Sequence, residues 1–318
     1  MLNHKGRADA APGRRRAALS PYDAALRMGE TGMEERIMKA DLHLHSTASD
    51  GLLPPAGVAA AAAQAGYTLI ALTDHDSTDG VKEARAAGEK LGMRVLTGVE
   101  LSCGAQKEIH ILGYGFDPDH GPLREFCRER REQRISRTRR MTELLAQMGM
   151  PVSFDRVQEI ARGVVGRPHV ARALLEAGHV KSVSEAFDRY ISPGKPAYVP
   201  KEDVRVADAV RLIHEAGGVA VLAHPMELKM GEASLASLIG EWKEQGLDGI
   251  EVWHPSAQNN HAAFLHALAL CEGMLVTGGS DFHGADLHGG RIGDGLERWR
   301  DVQDDVQRLL AWINQRKE

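Results

Sequence analysis

Short apolar runs, each closed by a histidine or a carboxylate, recur along this chain between residues 39 and 283. Runs of this length separated by helical stretches predict the strands of an α/β fold, with reactive side chains gathered at one end of a sheet. Leu69-Ile70-Ala71-Leu72-Thr73 leads into Asp74-His75-Asp76, the run from Val95 to Val99 into Glu100, and Val219-Ala220-Val221-Leu222-Ala223 into His224-Pro225. The series opens with His43-Leu44-His45 and closes with Asp281-Phe282-His283. In His43-x-His45 the two-residue period of a strand puts both imidazoles on one face. A helix would separate them.

The constellation comprises His43, His45, Asp50, His75, Glu100, His110, His224, Asp281 and His283. Any one of these is as well explained by an ordinary hydrogen-bonded histidine beside a strand. Their joint placement at strand ends is not, and nitrogen and carboxylate donors without cysteine point to a multi-metal site holding manganese, iron or zinc.

The strands are expected at Lys39 to Leu44, Thr68 to Thr73, Arg94 to Val99, Ile109 to Tyr114, Gly218 to Ala223, Asp248 to Trp253 and Met274 to Gly279. Pro54-Pro55 opens an alanine-rich helix ending near Gly66, and further helices are expected over Asp79 to Leu91, Ala207 to Glu215 and His261 to Cys271. This alternation predicts a parallel sheet, which the right-handed crossover rule lets close into a barrel with the active site at the carboxyl ends of its strands. His110, inside its strand, is the one candidate ligand that this rule does not place.

Residues 117–203 change to helical segments without strands, an insertion after the fourth strand that would cap the catalytic side. The domain plan is therefore a barrel from 38–116 and 204–318, a helical insertion over 117–203, and a disordered tail over 1–37. The tail carries Arg14-Arg15-Arg16 but no apolar segment for secretion, and its acids are too many for a transit peptide. An upstream start codon explains it best, with Met33 or Met38 as the biological start.

The insertion's first helix, Leu123 to Met148, stacks Arg130, Arg134 and Arg137 on one face. This is either a solvated face offset by Glu125, Glu129 and Glu132, or a basic rim for an oligonucleotide backbone. A net charge of −5 gives no sign of general nucleic-acid binding. Cys103, Cys127 and Cys271 lack the spacing of disulfides or thiolate metal sites, and no apolar run reaches membrane-spanning length. The expected setting is cytoplasmic, with no membrane and no obligate protein partner.

Asp41-Leu42-His43-Leu44-His45-Ser46, Ser49-Asp50-Gly51, Thr73-Asp74-His75-Asp76, Gly98-Val99-Glu100, Ala223-His224-Pro225 and Gly279-Ser280-Asp281-Phe282-His283 resemble the motifs of the polymerase and histidinol phosphatase (PHP) family of metal-dependent phosphoesterases. The resemblance spans residues 38–284. It implies a distorted seven-stranded β/α barrel and a trinuclear centre, preferably of manganese. His43, His45, Glu100 and Asp281 would hold the first metal, Glu100 with His110 and His224 the second, and Asp50, His75 and His283 the third. Asp281 or His254 would shuttle the proton while activated water attacks phosphorus.

Gly166-Arg167-Pro168-His169 and Gly194-Lys195-Pro196 resemble a subgroup in which Arg167, His169 and Lys195 would bind the second phosphate of a nucleoside 3′,5′-bisphosphate. That likeness implies removal of the 3′-phosphate, and trimming of short RNA from its 5′ end as an extension. The rival readings are a phosphatase for a small phosphomonoester such as histidinol phosphate, a noncatalytic metal-stabilised module, and an amidohydrolase. The amidohydrolase reading conflicts with Glu100 at the position where those enzymes place a carbamylated lysine.

Overall fold

In a computed structural model of the chain, which describes residues 38–104, 107–161, 163–258, 260–284 and 290–317, seven strands lie side by side in chain order. They are β1 (Ala40–Leu44), β2 (Leu69–Leu72), β3 (Arg94–Cys103), β4 (Ile109–Tyr114), β5 (Val219–Leu222), β6 (Gly249–Trp253) and β7 (Leu275–Gly278). The tail expected over residues 1–37 lies outside the described residues. The sheet curls until its edges nearly meet. Phe282, just beyond β7, pairs in parallel with Leu44, His45 N–H donates to the Phe282 carbonyl at 2.9 Å, and Asp281 N–H donates to the His43 carbonyl at 2.9 Å. Gly279 makes that approach possible, because a Cβ there would sit 2.1 Å from His43 Cβ.

Pairing is parallel for β1–β2, β2–β3, β5–β6 and β6–β7. β4 instead runs antiparallel to both β3 and β5, which corrects the parallel sheet expected from the sequence. The reason is the connection: only residues 104–108 join β3 to β4, and a parallel crossover needs roughly a dozen residues or more. The reversal explains His110. The beginning of β4 lies at the same end of the barrel as the ends of its parallel neighbours, so a residue early in β4 reaches the site.

The helices are α1 (Pro55–Gln64), α2 (Val81–Lys90), α3 (Gly121–Gln147), α4 (Phe154–Ala161), α5 (Arg167–Glu176), α6 (Val183–Ala186), α7 (Val206–Glu215), α8 (Glu232–Glu244), α9 (Asn260–Cys271) and α10 (Val302–Arg316), with a π-helical turn at Phe187–Ile191. Helices α1 and α2 bury Val58, Ala62 and Ala84 against Ile70, Leu72 and Val95. Helices α7, α8 and α9 set Val210, Ile213, Leu235, Ile239 and Leu265 against Leu222, Ile250 and Val276. Leu42, Ala71, Leu96, Leu112, Val221 and Leu275 form another cluster, joined by Leu309 and Ile313 of α10. Both faces of the strands are thus apolar, which is why they read as continuous runs.

Helices α8 and α10 were not anticipated. Their buried positions, Leu235, Ile239 and Trp242, and Val306, Leu309 and Ile313, follow the spacing of one helical face, a signal that the charged residues between them obscure. Between β4 and α7, helices α3 to α6 share a separate cluster that includes Met141, Leu145, Phe154, Val157, Val170 and Leu174. Helix α3 is tied to the barrel by Arg134, which bonds the buried Asp76 carboxylate at 2.9 Å and Ser102 Oγ at 2.7 Å.

Candidate metal centre

The nine candidate ligands converge at one end of the barrel. Glu100, fully buried near the middle of β3, divides them between its two oxygens. Oε1 lies 2.9 Å from His110 Nδ1 and 3.0 Å from His224 Nε2. Oε2 lies 3.5 Å from His43 Nε2, 3.4 Å from His45 Nε2 and 2.8 Å from His75 Nδ1. Asp281 Oδ1 stands 3.3 Å from His43 Nε2 and 3.0 Å from His45 Nε2. A second carboxylate focus is Asp50, 3.3 Å from His283 Nε2 and 3.8 Å from His75 Nε2.

The donor set fits cations. His43 Nε2, His45 Nε2, His75 Nδ1 and Glu100 Oε2 are buried polar atoms without a hydrogen-bond partner, a costly state that a shared metal relieves. His43, His45 and Glu100 offer donor atoms within 4.8 Å of one another, as do His75, Glu100 and His110, and as do His45, Asp50, His75 and His283. His43 with His224 and Asp281 makes a further group of this kind.

Electrostatics follow from the same crowding. Burial presses the Glu100 carboxyl upward, but His75, His110 and His43 hold it well below the usual carboxylate range. Burial and the neighbouring His283 push His45 down to about 3, so its lone pair is free for a metal. Burial opposes protonation of His224, yet Glu100 lifts it to about 9.

The loops that carry the ligands are held from behind. Asp74 accepts Ser46 N–H at 2.8 Å, Ser46 Oγ–H at 2.7 Å and Ser49 Oγ–H at 2.6 Å, fixing the turn that leads to Asp50. Asp41 accepts Ser280 N–H at 3.0 Å and Ser280 Oγ–H at 2.6 Å, fixing the turn that leads to Asp281. Among the described residues, non-glycine residues with positive φ are Asp76, His224, Asp281 and Lys229. Two of these, His224 and Asp281, are candidate ligands, and strain of this kind persists only where the surroundings impose it.

Sequence reasoning missed Glu251. This fully buried side chain on β6 takes His43 Nδ1–H on Oε1 at 2.9 Å and His224 N–H on Oε2 at 2.7 Å, joining two ligands that lie far apart in sequence. In the neutral ring this bond keeps the proton on Nδ1, so that Nε2, turned toward Glu100 and Asp281, can offer its lone pair to a cation. Its alternation with the outward Ile250 and Val252 on β6 is the signal that would have singled it out. His254, beyond the end of β6, is buried. Its Nδ1 accepts Ser256 N–H at 3.0 Å, and its Nε2 lies 3.8 Å from Asp281 Oδ2.

A cleft of about 170 Å³ adjoins the ligands, lined by Asp50, His75 and His110 together with Arg134, Arg137 and Arg167. Arg167 begins α5, and its guanidinium lies 5.7 Å from the Phe187 ring centre and 5.9 Å from that of Tyr198. His169 is buried in the first turn of α5, where Nδ1 accepts Gly166 N–H at 3.1 Å. Lys195 lies apart from the cleft wall, exposed in the turn after the π-helical segment, where its N–H donates to the Ser192 carbonyl at 2.9 Å. On α3, Arg128 is a solvated residue paired with Glu125 and Glu132, and of the basic face read from the sequence Arg130 is buried. Arg134 and Arg137 instead turn into the cleft. No helix among the described residues is long and apolar enough to cross a membrane.

Residues 41–192 match the PHP domain. The chain is 40% identical over 256 residues to a 3′,5′-nucleoside bisphosphate phosphatase of Chromobacterium violaceum, covering 79% of this chain and 89% of that one. It is 35% identical over 246 residues to a 5′-3′ exoribonuclease of Haemophilus influenzae, covering 77% and 90%. A crystal structure from Bifidobacterium adolescentis, described as a metal-dependent phosphoesterase, superposes with a TM-score of 0.72 at 30% identity over 88% of this chain and 98% of that one.

Proposed function

Because this chain belongs to the PHP family of metal-dependent phosphoesterases, we propose that it removes the 3′-phosphate of nucleoside 3′,5′-bisphosphates, such as adenosine 3′,5′-bisphosphate, to leave 5′-mononucleotides. The observation that carries this reading is the cleft wall. Asp50, His75 and His110 offer metal donors for one phosphate, and Arg134, Arg137 and Arg167 offer planar cationic forks for a second. A substrate with a single phosphate, held at the metal donors, would make no use of Arg137 and Arg167.

The metal assignment is the one that the family resemblance implies: His43, His45, Glu100 and Asp281 would hold the first cation, Glu100, His110 and His224 the second, and Asp50, His75 and His283 the third, with manganese preferred over iron or zinc. Bound cations supply the positive charge that offsets the charge developing on the phosphoryl oxygens, and they acidify water at working pH. Arg167 and His169, together with Arg134 and Arg137, orient the second phosphate so that the 3′-ester faces the metals. Lys195 contacts substrate where it extends out of the cleft. His254 Nδ1 accepts Ser256 N–H, which turns Nε2 toward Asp281. Asp281 or His254 takes up the proton released by the attacking water and passes it to the departing 3′-oxygen.

The helical segment 117–203 acts as the cap that supplies these cationic residues, and the protein works in the cytoplasm. The likeness to a 5′-3′ exoribonuclease favours a second activity on short RNA. A terminal 5′-phosphate would take the place of the 5′-phosphate of the bisphosphate, and the first internucleotide ester that of its 3′-phosphate.

The test is phosphate or nucleotide release from adenosine 3′,5′-bisphosphate, adenosine monophosphate, histidinol phosphate and a 5′-phosphorylated oligonucleotide, with and without manganese. The bisphosphate is expected to lead among the small substrates. A preference for histidinol phosphate overturns the reading.

A further inference from the structure

The cleft arginines already face an anion of the chain's own making. Glu108, on the connection between β3 and β4, pairs with Arg167 Nη2. It lines the cleft with Arg134, Arg137 and Arg167, and it also lines a smaller adjoining recess with Arg130, Arg134, Arg137 and Lys201. The carboxylate therefore stands where the two hollows meet, among cations contributed by α3, by the start of α5 and by the segment before α7.

Of those cations, Arg137 and Lys201 are poorly compensated without it. Arg134 has Asp76 as its counterion. Arg137 donates to the Val199 carbonyl at 3.2 and 3.1 Å, and Lys201 donates to the Cys103 carbonyl at 2.7 Å. Carbonyl oxygens satisfy donors but do not neutralise charge. Burial and the nearby Arg134 press Arg137 down to about 10. Burial, with Arg134 adding to it, presses Lys201 down to about 8 against the pull of Glu108. The Glu108 side chain is nonetheless 53% exposed, so a rotation carries it into solvent without disturbing the barrel.

We propose that Glu108 is an internal stand-in for the non-reacting phosphate of the substrate, holding Arg167 in the substrate-free enzyme and being displaced into water when that phosphate arrives. This rests on the bisphosphate reading given above and adds a residue that sets specificity. An entering group has to replace a carboxylate already paired with Arg167. A phosphate dianion, with more charge and more acceptor oxygens, does so. A neutral hydroxyl at the same place does not, and it leaves Glu108 where it is.

The test compares Glu108→Gln with the unaltered, manganese-loaded protein. The measurements are KM for adenosine 3′,5′-bisphosphate, KM for adenosine 3′-monophosphate, and the affinity for sulfate by calorimetry. Removing the competing charge is expected to lower KM for the bisphosphate and to tighten sulfate by about two- to fivefold, the strength of one solvent-exposed ion pair. KM for the 3′-monophosphate stays unchanged, and the gain in sulfate affinity disappears when Arg167→Met is added. A rise in KM for the bisphosphate, or unchanged sulfate affinity, overturns the proposal, because Glu108 would then position Arg167 rather than compete for it. If the unaltered protein does not turn over the bisphosphate, the substrate reading fails, and the sulfate comparison alone decides the role of Glu108.

Discussion

Replacing Glu251 by glutamine changes one oxygen to an NH2 group and nothing in shape, and its effect can be worked from two hydrogen bonds. One carboxylate oxygen takes His43 Nδ1–H at 2.9 Å and the other takes His224 N–H at 2.7 Å. An amide can satisfy only one of these as an acceptor. If its oxygen stays with His224, its NH2 donates to His43 Nδ1 and forces the proton onto Nε2, the atom that faces Glu100 and Asp281. If its oxygen stays with His43, two N–H groups meet in a fully buried site, at about 1 to 3 kcal/mol. Either arrangement weakens the metal positions served by His43 and His224. Losing such a support behind a ligand costs about 10- to 100-fold in metal affinity, or roughly 1.4 to 2.7 kcal/mol. Plasma mass spectrometry after dialysis against a weak chelator, with circular dichroism to verify folding, reads the result. A folded Glu251→Gln protein that keeps its full metal content and unchanged affinity would refute the reasoning.

Glu100→Gln weakens both oxygens of the proposed bridge, so metal per chain should fall at more than one position; loss of a single equivalent would remove Glu100 from the bridging role. Arg167→Met should raise KM for a nucleoside 3′,5′-bisphosphate by about tenfold or more, the worth of a charge-assisted hydrogen bond, while hydrolysis of p-nitrophenyl phosphate is spared. Equal losses on both substrates would show that Arg167 does not recognise the second phosphate. Lys201 titrates at about 8 when folded, against an ordinary 10.5. Between those values the unfolded chain binds more protons, so folding stability from this group rises with pH by at most roughly 3 kcal/mol. Urea titrations at pH 8 and pH 10 should show this gain in the unaltered protein and its absence in Lys201→Met. Parallel curves would refute the shift.

The strands and the nine candidate ligands were legible because burial on both faces writes each strand as an apolar run, and because the ligands sit where those runs stop. The direction of β4 was legible only through the short connection over residues 104–108, and overlooking that length left His110 unplaced. Glu251 was hidden for the opposite reason. It lies within an apolar strand rather than at its end, and its significance comes from two partners, His43 and His224, that only the closed barrel brings together. The basic face of α3 was legible as a stripe but not as a lining. Arg128, away from that face, remains in solvent with its acidic neighbours, whereas Arg134 and Arg137 turn inward because Asp76 and the Val199 carbonyl receive them.

The seam between β1 and the segment after β7 also governs when the site can come into being. Since His45 is clasped by Phe282 and His43 by Asp281, the first ligands to leave the ribosome wait for nearly the last. A nascent or prematurely ended chain stopping before residue 281 has no means of completing the cage around His43 and His45. Closure of that cage would therefore come only once synthesis has run through the seventh strand.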